Sequence, residues 1–484
     1  MKPWLEQRRR ERPEARALSF EGTDLTYAQL ADEAARRASA LQSLDVDAGS
    51  RVAIVGRNSL EYVLWAHAVF WLGATLVPLH HRASRAELND QCGVTQPTVV
   101  LAMPDAADRF DEAAPVVRVD DIASLIDDAP PAPPAEISSD DVLTILFTSG
   151  TTGTPRAVPL TVANHRASAH ASALRLGCEP DDHWLCCLPL CHIGGLAIAL
   201  RSAMYGTSFE LMPRFDADAV LEVLASRPVT LASFVPTMLR RLLAASDGPL
   251  ETRLRVVLVG GGHATAEELR TARQRGLPVV PTYGMTEAAS QIATLAPGSG
   301  ERWLQTAGRP LEGAEIRIGD PARPAEAGRS GAIYARGPMI ADGYLGDEEA
   351  SEERFRDGWL ETGDVGHLDE KGRLVVEHRR GRRITTGGET VDPAEVERAL
   401  RDATQVADAA VVGLDDAQWG ARIAAAVVAA DGGAAGLVDA LEAHCEATLA
   451  PFKVPKEWMT LEELPRTSSG KVRRDLIRRL FTDP

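Results

Sequence analysis

Apolar residues in the first 130 positions recur at two alternating spacings, one helical and one that of a buried strand. Leu30, Ala34, Ala38 and Leu41 follow Leu25-Thr26-Tyr27 at helical spacing, which predicts a long amphipathic helix opening there. Val52 to Val55 reads as a strand, Ser59 to Leu72 as a helix, and Ala74 to Pro78 as the next strand. Such alternation implies a largely parallel sheet covered by helices. Ala129 to Ala135 is rich in proline and reads as a surface connector into the apolar run Val142 to Phe147. The pattern resumes from Val158 to about Gly284 and includes a buried strand, Arg255 to Val259, that ends in Gly260-Gly261-Gly262. From about Arg309 strands dominate, which indicates a small β-rich subdomain. Asp392 can cap a further helix, with Pro393 at its first position and Glu395 completing a capping box. The expected fold class is therefore α/β. A large N-terminal domain, residues 1–380, holds parallel-type sheets covered by helices plus the β-rich subdomain. Residues 381–484 form a small, mobile α+β C-terminal domain, with the boundary near Arg379 to Arg383.

Composition narrows the partners. At 484 residues the chain exceeds one ordinary core, and its 45% hydrophobic and 25% charged content is that of a globular protein. No stretch approaches the roughly 18 apolar residues of a membrane span. Met1 to Arg16 carries Arg8-Arg9-Arg10 but no apolar core, so no secretory signal is expected. The net charge of −17 argues against nucleic acid, and a homo-oligomer is left open. Cys92, Cys178, Cys186, Cys187, Cys191 and Cys445 form no Cys-x-x-Cys pair, which suits a reducing cytoplasm. The apolar flanks of Cys186-Cys187 and Cys191-His192 argue against a metal there. Of 52 basic residues only five are lysines: Lys2, Lys371, Lys453, Lys456 and Lys471. A lysine kept in such a chain is a candidate for chemistry that arginine cannot supply.

The first chemical signal is Ser149-Gly150-Thr151-Thr152-Gly153-Thr154, emptied into directly by the apolar strand before it. Glycines let backbone N–H groups converge on an anion, and the hydroxyls add donors, so the loop is built for phosphate. No Gly-Lys-Ser/Thr closes it, so it is not the P-loop of common NTPases. A flexible Ser/Thr/Gly linker is the alternative reading.

Further segments follow in order: Leu188 to Gly195 with His192, Gly260 to Gly262, Tyr283-Gly284-Met285-Thr286-Glu287, Thr362-Gly363-Asp364, Arg379 through Gly387-Gly388-Glu389, and Pro465 to Lys471. Together they resemble the adenylate-forming superfamily of acyl-CoA ligases, luciferases and adenylation domains, across essentially the whole chain. The resemblance implies ATP, Mg²⁺ and coenzyme A as cofactors and co-substrates, with a small carboxylic acid as substrate. It implies Glu287 as Mg²⁺ ligand, with Thr151, and Thr286 as α-phosphate contact. Tyr283 can stack on adenine while Gly261, Gly262, Gly284 and Met285 shape the slot. Asp364 and Arg379 would hold the ribose, Gly387 and Gly388 would line the pantetheine tunnel by backbone, and Lys471 would be the catalytic lysine. His192 reads either as a core histidine or as a gate between acyl pocket and adenylate. Arg156, Thr390 and the hinge Gly381-Arg382 depart from the family's usual Lys, Asn and Asp or Lys.

The stretches Leu188 to Gly206 and Tyr283 to Leu295 resemble the o-succinylbenzoate–CoA ligases of menaquinone synthesis more than fatty-acid ligases. That acid keeps a second carboxylate, so its pocket needs polar partners. Ser290 and Gln291 qualify, with Arg201 as a further candidate for the ring carboxylate. Another aryl- or short-acyl-CoA ligase is the nearest alternative, and a non-catalytic adenylate-binding protein the alternative of a different class.

Overall fold

The computed structural model describes residues 1–106, 109–110, 116–128, 130–148, 155–246, 248–262, 264–379, 384–430, 436–465 and 472–482, with residues 127, 128, 378 and 379 as backbone only. The phosphate loop Ser149 to Thr154, the hinge pair Gly381-Arg382, and Lys471 with the loop before it lie outside these residues.

The local signals act as the periodicity requires. Thr26 Oγ1 accepts from Gln29 N at 3.2 Å and Gln29 Oε1 accepts from Thr26 N at 2.9 Å, which closes a capping box on the helix Tyr27–Gln42. Leu30, Ala34, Ala38 and Leu41 all face the core. The helix Leu60–Trp71, capped by Ser59, is buried almost all round because it packs against both the helix Tyr27–Gln42 and the neighbouring sheet. The proline-rich connector runs at the surface as expected, with Pro130, Pro131 and Pro133 exposed, and is anchored at the buried Ala132, whose carbonyl accepts from Trp71 Nε1 at 2.8 Å. One expectation needs correction. Asp392 caps the helix Pro393–Asp402 by accepting from Ala394 N at 2.9 Å, but Glu395 does not close a box. Its carboxylate turns to the Lys453 ammonium, a stronger partner than one backbone N–H.

Two mostly parallel sheets build the N-terminal domain. In the nine-stranded sheet, Val279–Met285, Val256–Val259, Leu231–Phe234, His183–Cys186, Ser208–Leu211 and Arg16–Phe20 run parallel in that order, with antiparallel strands at both edges. The six-stranded sheet runs Val116–Arg118, Val99–Ala102, Arg51–Gly56, Thr75–His80, Val142–Thr148 and Arg156–Thr161, the last antiparallel. The β-rich subdomain is centred on Glu315–Asp320, Gly331–Arg336, Trp359–Leu368 and Leu374–Arg379. In the C-terminal domain a hairpin, Ile384–Thr386 with Glu389–Val391, precedes the three-stranded sheet Val406–Asp416, Gly420–Ala429 and Glu457–Thr460. Parallel sheets bind ligands at their carboxyl ends. Here the ends at His80, Thr148, Phe234, Val259 and Met285 open on one cavity.

Candidate active site

The cavity measures about 820 Å³, and the C-terminal hairpin closes part of it with Gly387, Gly388, Glu389 and Thr390. On the nucleotide side, Tyr283 donates its hydroxyl to Asp364 Oδ2 at 2.7 Å, which fixes the ring against the buried carboxylate. Asp364 lies opposite Arg379 in the antiparallel register, so the two expected ribose contacts share one rung of the sheet. Gly284 must be glycine: a Cβ there would lie 2.0 Å from Ser290 O. Gly261 takes φ +74°, a conformation that disfavours any side chain.

Glu287 sits in the short 3₁₀ turn Thr286–Ala288, 5% exposed, with Tyr344 donating to Oε1 at 3.0 Å. Burial and then the Glu287 charge push the Tyr344 hydroxyl well up, so it stays a donor. A hard carboxylate oxygen on the wall of a nucleotide-sized cavity fits Mg²⁺. Thr286, Met285 and Ser290 line the same wall. Ala289 at φ 47° and Ser290 at φ 108° carry left-handed backbone that costs about 1–3 kcal/mol per residue, local strain at a ligand wall.

Gly194, Ala197, Ile198 and Arg201 fall at helical spacing on the helix Ile193–Tyr205, so one face of it lines the cavity. Arg201, 4% exposed, donates to Ser172 Oγ at 3.1 Å, Gln291 Oε1 at 2.7 Å and Ser168 Oγ at 3.0 Å. Burial draws its pKa down, and among the described residues no carboxylate pairs with it. Gln291 is fully engaged, accepting from Arg201 and from Ser172 and donating to Thr294 Oγ1 at 3.0 Å. Its polar atoms hold the arginine; they are not spare for a ligand.

His192 sits just before that same helix, and its side chain, free of any capping bond, lines the cavity. The structure brings to it residues that sequence spacing could not. Glu389 enters with its side chain, not only its backbone, and its carboxylate accepts from His192 Nε2 at 3.0 Å, His80 Nε2 at 3.1 Å and Arg82 Nη2 at 2.6 Å. His80 Nδ1 accepts from Arg82 N at 3.0 Å, which assigns its proton to Nε2. The donor atoms of His80, Cys191 and His192 lie within 4.8 Å of one another, and the Arg82 guanidinium already supplies the cation for Glu389. The signal for His80 and Arg82 was the polar run His80-His81-Arg82 at a strand end. Arg156, at the usual lysine position, packs its guanidinium 5.0 Å over the Tyr344 ring.

Burial pulls His192 down, but the Glu389 charge and hydrogen bond outweigh it and raise its pKa above 6.5. Glu389 is held well below the carboxylate range despite burial, and burial keeps His80 neutral. The interdomain contact is thus favoured while His192 is protonated and weakens as pH rises from 6.5 through its raised value. Distance labels on the two domains should report less of the docked arrangement over that rise, and His192→Asn should flatten the response. A docked fraction independent of pH in the wild type would contradict this.

A parallel-sheet domain with a nucleotide-sized cavity, a buried carboxylate on its wall and a second domain carrying residues into that cavity defines an adenylate-forming enzyme. The chain belongs to the AMP-binding enzyme family: the AMP-binding enzyme model matches residues 5–345 and the AMP-binding enzyme C-terminal domain model residues 395–471. Among its relatives is a 2-succinylbenzoate–CoA ligase of Bacillus licheniformis, 40% identical over 97% of this chain and 98% of that one. The o-succinylbenzoate CoA synthetase of Bacillus subtilis, as a double mutant bound with its product analogue OSB-NCoA, superposes with a TM-score of 0.93 at 36% identity over 99% and 98% of the two chains. The same Bacillus subtilis enzyme in complex with the acyl-adenylate intermediate OSB-AMP covers equal shares at 36% identity but gives 0.76. This chain thus superposes better on the product-analogue complex than on the acyl-adenylate complex of the same enzyme.

Proposed function

We propose that this protein is an ATP-dependent acid–CoA ligase that joins 2-succinylbenzoate to coenzyme A through an acyl-adenylate, releasing AMP and pyrophosphate, in menaquinone biosynthesis. The observation that carries the substrate class is Arg201: a buried cation in the cavity wall with only neutral oxygens as described partners. A buried charge is costly unless an opposite charge reaches it, and a dicarboxylic aryl acid supplies one that a fatty acid does not. The first carboxylate then lies toward Thr286 and Glu287, the second against Arg201 beside Ser290.

In the first step the acid's carboxylate oxygen bonds the α-phosphorus as the bond to pyrophosphate breaks, so the chain must bring two anions together and stabilise the negative charge that develops on the leaving pyrophosphate. Backbone N–H groups and hydroxyls of Ser149 to Thr154 bind phosphate, Thr286 orients the α-phosphate, and Lys471 places its ammonium near the reacting oxygens. Glu287, with Thr151, would hold Mg²⁺, which when bound neutralises phosphate charge. In the second step Gly387 and Gly388, at φ +59° and +90°, give the pantetheine a passage without side chains. There the thiol sulfur bonds the acyl carbon as the acyl–phosphate bond breaks, AMP leaving as the anion and the thiol proton passing to solvent, while His192 holds Glu389 by its hydrogen bond at 3.0 Å. Lys471→Ala is expected to lose adenylate formation by about 10²–10³-fold, the scale for one lost transition-state contact, and to keep thiolation of supplied adenylate. Equal loss of both would contradict its role.

The six cysteines are free thiols, in keeping with a reducing cytoplasm, and no described helix is long and apolar enough to cross a membrane. Whether the enzyme is a homo-oligomer is read from its mass by light scattering. The deciding experiment is mass-spectrometric detection of CoA thioesters with ATP and Mg²⁺ over a panel of 2-succinylbenzoate, benzoates and fatty acids. A thioester from 2-succinylbenzoate alone is the expected result. Products from other acids would keep the reaction and overturn the substrate.

A further inference from the structure

The two domains also meet at a charged cluster that neither half-reaction uses. Lys453 Nζ lies 2.7 Å from Glu395 Oε1 of its own domain and bonds Glu87 Oε1 of the N-terminal domain. The three side chains are only 12%, 4% and 8% exposed, in the order Lys453, Glu395, Glu87. Burial alone would draw the ammonium down, yet the two carboxylates outweigh it and keep Lys453 charged. Glu87 is aimed by its helix. It closes the capping box of Arg85–Thr95, where Ser84 N donates to Glu87 Oε2 at 2.6 Å and Glu87 N donates to Ser84 Oγ at 3.2 Å. One carboxylate oxygen thus serves the cap and the other receives Lys453. The same cap reaches across the interface, since Ser84 Oγ donates to Thr448 O at 2.8 Å. Phe452, next to Lys453, packs under the Arg82 guanidinium at 5.0 Å, which links this cluster to the Glu389 contact.

A lysine between two buried carboxylates matters most for what its absence leaves. Without it Glu87 and Glu395 would face each other as like charges out of water, and only in the docked arrangement. If the C-terminal domain turns away, Lys453 keeps Glu395, and Glu87 returns to water with its cap intact.

We infer that Lys453 and Glu87 are positioning residues for thioester formation, their cross-domain ion pair holding the C-terminal domain in the orientation that admits the thiol. This rests on the ligase reading above and adds to it two residues at the domain seam, on the rim of the same cavity.

The test compares wild type, Lys453→Met and Lys453→Met/Glu87→Gln in two assays: ATP–pyrophosphate exchange with 2-succinylbenzoate, and thioester formation from supplied 2-succinylbenzoyl-adenylate and CoA. Lys453→Met is expected to exchange pyrophosphate at the wild-type rate and to lose thioester kcat by about 10–100-fold, because the docked population falls. Adding Glu87→Gln removes one of the facing carboxylates and is expected to recover part of that loss. A merely structural role of Lys453 within its own domain would not respond to a change in the other domain. Equal loss in both assays, or no recovery in the double variant, overturns the positioning role. A wild type inactive in both assays overturns the ligase reading and the positioning role with it.

Discussion

Glu287→Gln is expected to lower ATP–pyrophosphate exchange by about 10²–10³-fold, the loss found when one preorganised charge contact is removed from a transition state. Glutamine keeps the shape and the acceptor for Tyr344, so the turn Thr286–Ala288 and its hydrogen bond survive. What disappears is the negative charge on a buried wall, and with it a hard ligand for Mg²⁺. Thioester formation from supplied adenylate should stay near the wild-type rate, because it moves no pyrophosphate. A higher Mg²⁺ requirement in the exchange assay is the accompanying signature. Exchange within tenfold of wild type at ordinary Mg²⁺ would remove Glu287 from the metal.

Arg201→Met should act on the acid alone. Truncating one partner of a buried charge pair costs about 2–5 kcal/mol, which at about 1.4 kcal/mol per decade raises the KM for 2-succinylbenzoate roughly 30- to several-thousand-fold. Benzoate, which lacks the second carboxylate, should be no worse a substrate than before. Methionine fills the stem, and Ser172 still donates to Gln291 Oε1 at 2.8 Å, so the free protein should lose little thermal stability and can gain some by shedding a buried charge. Parallel losses for both acids would place Arg201 in the scaffold and not in recognition.

Much of this was legible in the residues. The strand–helix alternation, the Asp392 cap and the β-rich region after Arg309 rest on periodicity and on hydrogen bonds within a turn, and they came through. The Glu395 capping box failed because a distant lysine competed for the carboxylate. The proline-rich connector was legible as surface, though composition does not register that Trp71 anchors it at Ala132. In the site, the ordered motifs identified Tyr283, Glu287, Asp364 and the glycines, each a short run with its own chemistry. His80, Arg82, Tyr344 and Lys453 were missed, because the polar run at the strand end His80-His81-Arg82 does not name its distant partner and the other two carry no motif. Lysine scarcity pointed to Lys471, yet it was equally informative about Lys453.

By itself, then, the sequence determined the α/β architecture, the adenylate-forming family and the type of reaction. Those depend on backbone propensity, on side-chain periodicity and on residue types set close together in the chain. Tertiary structure alone decided that Arg201 is buried without a described counter-charge, that Gln291 serves it, that Glu389 enters between two histidines, and that Lys453 joins the domains. Burial and charge pairing depend on which distant segments share a low-dielectric space, and the Glu389–His80 contact joins residues 309 positions apart. No window along the chain spans such a distance.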